Sequence, residues 1–168
     1  DVEGFTDPDT GEEAGTVVYL ALDGTYAGTI LIADRIKPEA GRMVAALKNL
    51  GVRRTVMLTG DNRRIASAVS KQLGIDEFRA ELLPQDKVET LEALKEDLPP
   101  GELLAFVGDG INDAPVLMRS DVGFAMGDIG SDAAIEAADV VIMDDQLERV
   151  PEAIRIARFT RKIVIQNI

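Results

Sequence analysis

The chain has 168 residues, 46% of them hydrophobic, and carries 30 acidic against 18 basic side chains for a formal charge of −12. That length and apolar content suit one compact domain with a small appendage and exclude wholesale disorder. The charge argues against nucleic acid as a partner, since phosphate backbones are held by Lys and Arg, and with neither Cys nor His the chain has no means to form disulfides, thiol nucleophiles or zinc sites of the usual kind.

Residues 1–15, rich in Asp, Glu, Gly and Thr, read as a loop or a loosely ordered terminus, without a signal-peptide pattern. Two β-branched and aromatic runs then flank Asp23-Gly24, which predicts a hairpin over residues 16–33. Such a hairpin is too small to stand alone. After Asp34 the periodicity changes. Pro38 suits a helix start, the run PEAGRMVAALKNL is apolar at helical spacing, and Gly51 suits its stop. Strand and helix alternate from there: TVML at 55–58, the helix NRRIASAVSKQL closed by Gly74, FRAEL at 78–82, the helix PQDKVETLEALKED opened by Pro84. LLAFVG at 103–108 reads as the most buried strand. A short helix over 114–119 follows, then VGFAM, a helix near 131–138, and VVIM at 140–143. Strands spaced by helices predict an α/β fold whose parallel sheet is covered on both faces. The final run, VPEAIRIARFTRKIVIQNI, is helical and carries Arg155, Arg158, Arg161 and Lys162. Periodicity alone favours an amphipathic surface helix; the sharper alternative is a stalk leading to a membrane, where positive charge gathers. No stretch reaches the roughly 20 apolar residues of a bilayer span.

In open parallel sheets, ligands collect at the C-terminal ends of the strands, and three features fall there. Thr59-Gly60-Asp61 follows TVML; a hydroxyl and exposed N–H groups at a helix entrance make an anion site, although Thr59 or Asp61 serving as a helix cap explains the same residues. Lys87 lies in the first turn of a helix, where the macrodipole mildly disfavours a cation; it is odd there unless an anion pairs with it, although a lone helix lysine is usually just solvated. GDGINDAP, residues 108–115, follows LLAFV and sets Asp109, Asn112 and Asp113 on a loop entering a helix, oxygen donors that suit Mg²⁺. Gly108 and Gly110 allow close approach of the backbone.

GDGINDAP, with TGDN upstream and PQDK between them in matching order and spacing, resembles the haloacid-dehalogenase-type phosphorylation domain of P-type ATPases, from about Thr16 to the end of the chain. FRAELLPQDKVE, GSDAAIEAADVVIM and the final helix resemble the heavy-metal branch, most closely its zinc, cadmium and lead pumps. The resemblance implies a Rossmann-like parallel sheet. It makes residues 1–33 the last strands of a nucleotide-binding domain, and residues 34–168 the phosphorylation domain running into a membrane stalk. By that resemblance Thr59 and Gly60 bind the transferred phosphoryl oxygens, Asp61 lies near the nucleotide phosphates of ATP, and Lys87 neutralises phosphoryl charge. Asp109 ligates Mg²⁺, while Asn112 and Asp113 support phosphate and metal, Asp113 as a possible second ligand. The implied location is a cytoplasmic domain of a plasma-membrane protein. The implied partners are the rest of the pump, namely the N-terminal half of the phosphorylation domain, the remaining nucleotide-binding domain and the membrane helices, together with the transported divalent metal ion.

The family's nucleophile lies in Asp-Lys-Thr-Gly-Thr, and neither that motif nor the His-Pro signature of the adenine side occurs here. The strand that would bear it belongs between TVML and LLAFVG, so a gap is expected in the sheet. A second chain filling it, direct pairing of the two flanking strands in a smaller sheet, and self-association are three ways to satisfy the exposed edges. A soluble Mg²⁺-dependent phosphatase of the same superfamily would also need an aspartate after an early strand; Asp7-Pro8-Asp9 has the spelling but no strand before it. A non-catalytic phosphate- or Mg²⁺-binding module is the third function that the sequence admits.

Overall fold

The computed structural model describes residues 16–32, 35–108, 113–127, 132–144 and 146–167. The chain divides into two compact units, Asp1–Lys37 and Pro38–Ile168. In the first, β1 (Thr16–Leu22) and β2 (Thr25–Ile32) form an antiparallel hairpin. Asp23 and Gly24 both take positive φ, 50° and 81°, the two-residue turn whose twist matches that of the strands. Partners jump from Leu20–Gly28 to Ala21–Tyr26, which leaves Ala27 as a bulge. Successive residues Tyr19 and Leu20 are both exposed, as are Val18, Leu22 and Ile30, so apolar surface lies on both faces of the ribbon.

The second unit runs α1 (Pro38–Asn49), β3 (Val56–Leu58), α2 (Arg63–Leu73), β4 (Glu77–Arg79), α3 (Pro84–Glu96), β5 (Ala105–Gly108), α4 (Ala114–Arg119), β6 (Val122–Met126), α5 (Asp132–Ala137), β7 (Val140–Ile142) and α6 (Arg149–Gln166). All strand pairings within it are parallel, as expected for an α/β chain. β6 is the core strand, with residues 123–126 buried. Its Phe124 and Met126 pack with Ile142 and Val150, against Met43 and Leu47 of α1 and Ile154 of α6. On the opposite face Ala125 meets Leu117, with Ala137 and Ala138 beside them. Gly123 permits this layer, because a Cβ there would stand 3.0 Å from the Leu117 carbonyl oxygen.

The parallel strands fall into two sheets, β3-β4 and β5-β6-β7, and among the described residues β3 does not pair with β5. Direct closure of a smaller sheet is therefore not what this chain does. Thr55 and Thr59 exchange main-chain bonds with the β4 side, so by the alternation of a parallel ladder Val56 and Leu58 direct theirs the other way. Leu104 likewise accepts from Val122, which turns the main-chain groups of Ala105 and Val107 away from β6. The free edge changes burial too. β5, read from sequence as the most buried strand and begun at Leu103, starts at Ala105; Leu103 is 74% exposed, Ala105 is exposed and the rest of the strand is half-buried. An apolar strand lacking one neighbour cannot be buried like a central one.

At their N-terminal ends the strands are joined by aspartates. Asp76, before β4, accepts from the Thr55 N–H (2.8 Å) and hydroxyl (2.7 Å) and from Lys48 (2.6 Å). Asp121, before β6, accepts from the Leu104 N–H (2.8 Å) and pairs with Lys95 (2.6 Å). Asp139, before β7, accepts from the Gly123 N–H (2.8 Å). Part of the acidic surplus is thus structural rather than a solvated face. α6 docks through Val150, Ala153 and Ile154, but every side chain from Arg155 to Asn167 is exposed, so this helix does not lie along the core as a surface helix would. No helix among the described residues is long and apolar enough to cross a membrane.

Candidate functional site

The site assembles at the opposite, C-terminal ends of the strands. Thr59 directly follows β3, its N–H donating to the Arg79 carbonyl (3.0 Å). Its hydroxyl donates to Asp61 Oδ2 (2.8 Å) and accepts from the Asp61 N–H (3.1 Å), a closed loop around the exposed Gly60. Neither residue caps the following helix. Asn62 does, accepting from the Ile65 N–H (3.0 Å) in extended backbone, so the simpler explanation for Thr59 and Asp61 as helix caps is replaced by their bond to each other.

The loop is fastened from below by the segment after β4. Sequence periodicity carries that strand to residue 82, yet it stops at Arg79, because Glu81 adopts left-handed backbone with φ 61°. The Glu81 N–H donates to the Asp61 carbonyl (2.9 Å) and the Leu82 N–H to the Thr59 carbonyl (3.1 Å). The Leu83 N–H then donates to Asp86 Oδ2 (2.9 Å), and Pro84 begins α3.

Lys87, in the first turn of α3, finds its anion in Asp113: Nζ donates to Oδ1 at 2.8 Å, with the two side chains 20% and 12% exposed. Asp113 stands at the N-cap position of α4 but makes no side-chain cap bond; its carboxylate is committed to Lys87 instead. Gly108 makes room for it. A Cβ there would lie 2.8 Å from Asp113 Oδ2 and 2.9 Å from Phe106 Cε1, so glycine is required for space, not for a positive φ. Asp109 and Asn112, expected to ligate metal and support phosphate, lie outside the described residues, as does Gly110. Among the described residues no three acidic groups converge as a ready metal cluster. The donors that are seen, the Asp113 carboxylate and the Thr59 hydroxyl, are hard oxygens, and that chemistry fits Mg²⁺.

The shifted carboxylates lie away from this site, at the other end of the strands. Lys48, then the Thr55 hydroxyl and N–H, hold the Asp76 carboxyl well below the usual range. The Leu104 N–H, then Lys95, lower the pKa of Asp121. These charges fasten the fold and leave the site free of that duty.

Residues 4–121 match the haloacid dehalogenase-like hydrolase family. The chain is 61% identical over 157 residues to a cadmium, zinc and cobalt-transporting ATPase of Bacillus subtilis (strain 168), covering 94% of this chain and 22% of that protein. It is 59% identical over 163 residues to a zinc-transporting ATPase of Synechocystis sp. (strain ATCC 27184 / PCC 6803 / Kazusa), covering 96% of this chain and again 22% of the relative. The crystal structure of a zinc-transporting PIB-type ATPase in its E2.Pi state superposes with a TM-score of 0.77 at 40% identity, over 91% of this chain and 24% of that one. The chain thus spans about a fifth to a quarter of the proteins it matches.

Proposed function

Since the chain belongs to the haloacid dehalogenase-like hydrolase family, we propose that it is the C-terminal part of the phosphorylation domain of an ATP-driven pump exporting a divalent heavy-metal cation such as zinc, cadmium or lead. The Lys87–Asp113 ion pair carries this reading. It ties α3, which follows β4, to the N-terminus of α4, which follows β5, at the strand ends where such folds bind ligands, with the Thr59 loop bonded to the segment that leads into α3.

Phosphoryl transfer asks a protein mainly for positioning and charge neutralisation. In this proposal the Thr59 hydroxyl and Gly60 N–H receive the oxygens of the transferred phosphoryl group, and Asp61 faces the nucleotide phosphates. An ammonium has three donors, so Lys87 keeps Asp113 on one and offers the others to the phosphoryl oxygens. Asp109 and Asp113 hold Mg²⁺, with Asn112 supporting phosphate; the bound ion supplies further charge neutralisation. The nucleophile is a carboxylate on a strand outside these 168 residues. It takes the phosphoryl group from ATP as ADP leaves, and water later splits the acyl phosphate. Among the described residues nothing pairs with the outer edges of β3 and β5, which supports a place for that strand, whether it comes from the same polypeptide or from a second chain. The share of each relative covered supports further parts: the remaining nucleotide-binding domain, to which the β1–β2 hairpin would belong, and membrane helices, to which the basic, exposed half of α6 leads. That arrangement makes the chain a cytoplasmic portion of a plasma-membrane protein, without ATPase turnover alone.

The test is phosphoenzyme formation from radiolabelled ATP in the complete protein, with zinc or cadmium added. Lys87→Ala and Asp109→Ala should each lower it by about 10²–10³, the usual loss for one charge-stabilising group. Undiminished, metal-stimulated phosphoenzyme in Lys87→Ala would overturn the assignment.

A further inference from the structure

Glu81 is the one residue of the second unit, among those described, that combines a side chain with left-handed backbone. A long side chain rarely adopts that conformation, because its Cβ crowds the following carbonyl. The conformation is not explained by the carboxylate, which is exposed and has no hydrogen-bond or ion-pair partner among the described residues. It is explained by what the backbone does. Turning left at residue 81 aims two consecutive N–H groups at the same loop, 81 to the Asp61 carbonyl and 82 to the Thr59 carbonyl. An extended residue there would send successive N–H groups to opposite sides, as strands do. Gly60 sits within the clasp, where a Cβ would stand 3.4 Å from the Leu82 carbonyl oxygen.

We infer that Glu81 is a positioning residue: its left-handed backbone latches the Thr59–Gly60–Asp61 loop to the start of α3, so that the hydroxyl at 59 and the ammonium at 87 are held in a fixed relation. The latch deepens the proposed function, since it matters to the chemistry only if that loop receives a phosphoryl group, but its existence is a property of this chain. The role belongs to the main chain, not to the glutamate side chain, and this separates it from an ordinary surface carboxylate.

Two variants divide these cases. Glu81→Gly and Glu81→Val both delete the carboxylate and keep the N–H, but glycine accepts positive φ freely while a β-branched residue resists it. Amide hydrogen exchange on the 168-residue chain reads the latch directly. In Glu81→Val the amides of residues 81 and 82 should exchange about tenfold faster relative to those of β6, which reports opening of the latch alone. In Glu81→Gly they should exchange as slowly as in the parent or more slowly. Equal acceleration in both variants would assign the effect to the carboxylate and overturn the inference; so would no change in either. If Glu81→Val lowers protection throughout the chain, Glu81→Asn, which tolerates the left-handed region, decides it: parent-like exchange supports the latch, and acceleration overturns it. In the complete protein, phosphoenzyme formed from inorganic phosphate and magnesium should require more phosphate in Glu81→Val than in Glu81→Gly. A parent protein that forms no phosphoenzyme at all would refute the pump assignment, while the exchange result would still decide the latch.

Discussion

The Lys87–Asp113 pair offers the sharpest test of the site's geometry. At 2.8 Å, two unit charges attract by about 6 kcal/mol at an effective dielectric constant of about 20. Most of that is offset by the loss of hydration, because the side chains retain only 20% and 12% of their exposure. The net coupling should fall above that of a surface pair and near that of a hydrogen bond to a charged group, roughly 1.5–3 kcal/mol. The single substitutions should be unequal. In Asp113→Ala the long lysine stem can swing its ammonium to water. In Lys87→Met the carboxylate, on its short stem beside Gly108, stays buried without its partner, so this variant should lose more, about 2–4 kcal/mol. Urea denaturation of the parent, both single variants and the double variant yields the coupling by a double-mutant cycle. It should persist in 1 M salt, where exposed charges are screened beyond about 3 Å. A coupling below roughly 0.5 kcal/mol, or one abolished by salt, would mean that the pair is a surface contact and that Lys87 and Asp113 do not share a site.

Gly108→Ala should destabilise the chain by about 1–3 kcal/mol, the usual result of overpacking, because its methyl group meets Asp113 and Phe106; a shift in the urea midpoint measures it. Asn62→Ala should lose about 0.5–2 kcal/mol of cap energy, whereas Asp61→Ala should lose none of that cap; thermal unfolding of both variants distinguishes the residue that caps α2. The chain should also weaken in acid. Asp76 and Asp121 have carboxyls held below the ordinary range, so they stabilise the fold above about pH 4, where the unfolded groups are ionised. That contribution is lost as pH falls through their folded values. Urea midpoints between pH 6 and pH 2 should therefore fall less steeply in Asp76→Asn than in the parent.

The features legible in the sequence were those fixed by near neighbours. Asp23-Gly24 makes its turn, Pro38 opens α1, and Gly74 closes α2 with φ 70°, each by backbone chemistry within a few residues. The motif glycines and acids likewise marked the ends of β3 and β5. What was missed depends on distance or on absent neighbours. The helix position marks Lys87 as odd without an anion, but Asp113 is 26 residues away, and no local rule links them. β4 ends sooner than its periodicity implies because Glu81 fits a strand pattern and yet turns left to reach another loop. β5 looked buried because its composition is apolar, whereas burial is decided by what lies beside a strand. The joining aspartates left a signal that could have been used: Asp76, Asp121 and Asp139 each stand just before a strand, where a carboxylate can bind the start of the strand alongside.

The division between β3-β4 and β5-β6-β7 has a consequence for how the molecule comes apart. Hydrogen-bond ladders transmit cooperativity sideways, and here that transmission stops between Leu58 and Val107. Among the described residues the two halves meet through packed helices, side-chain hydrogen bonds and ion pairs such as Lys87–Asp113. Calorimetry should therefore resolve a weaker melting event, in the half containing α2 and β4, before the half built on β6. A strand peptide seated between the halves should merge the two events into one.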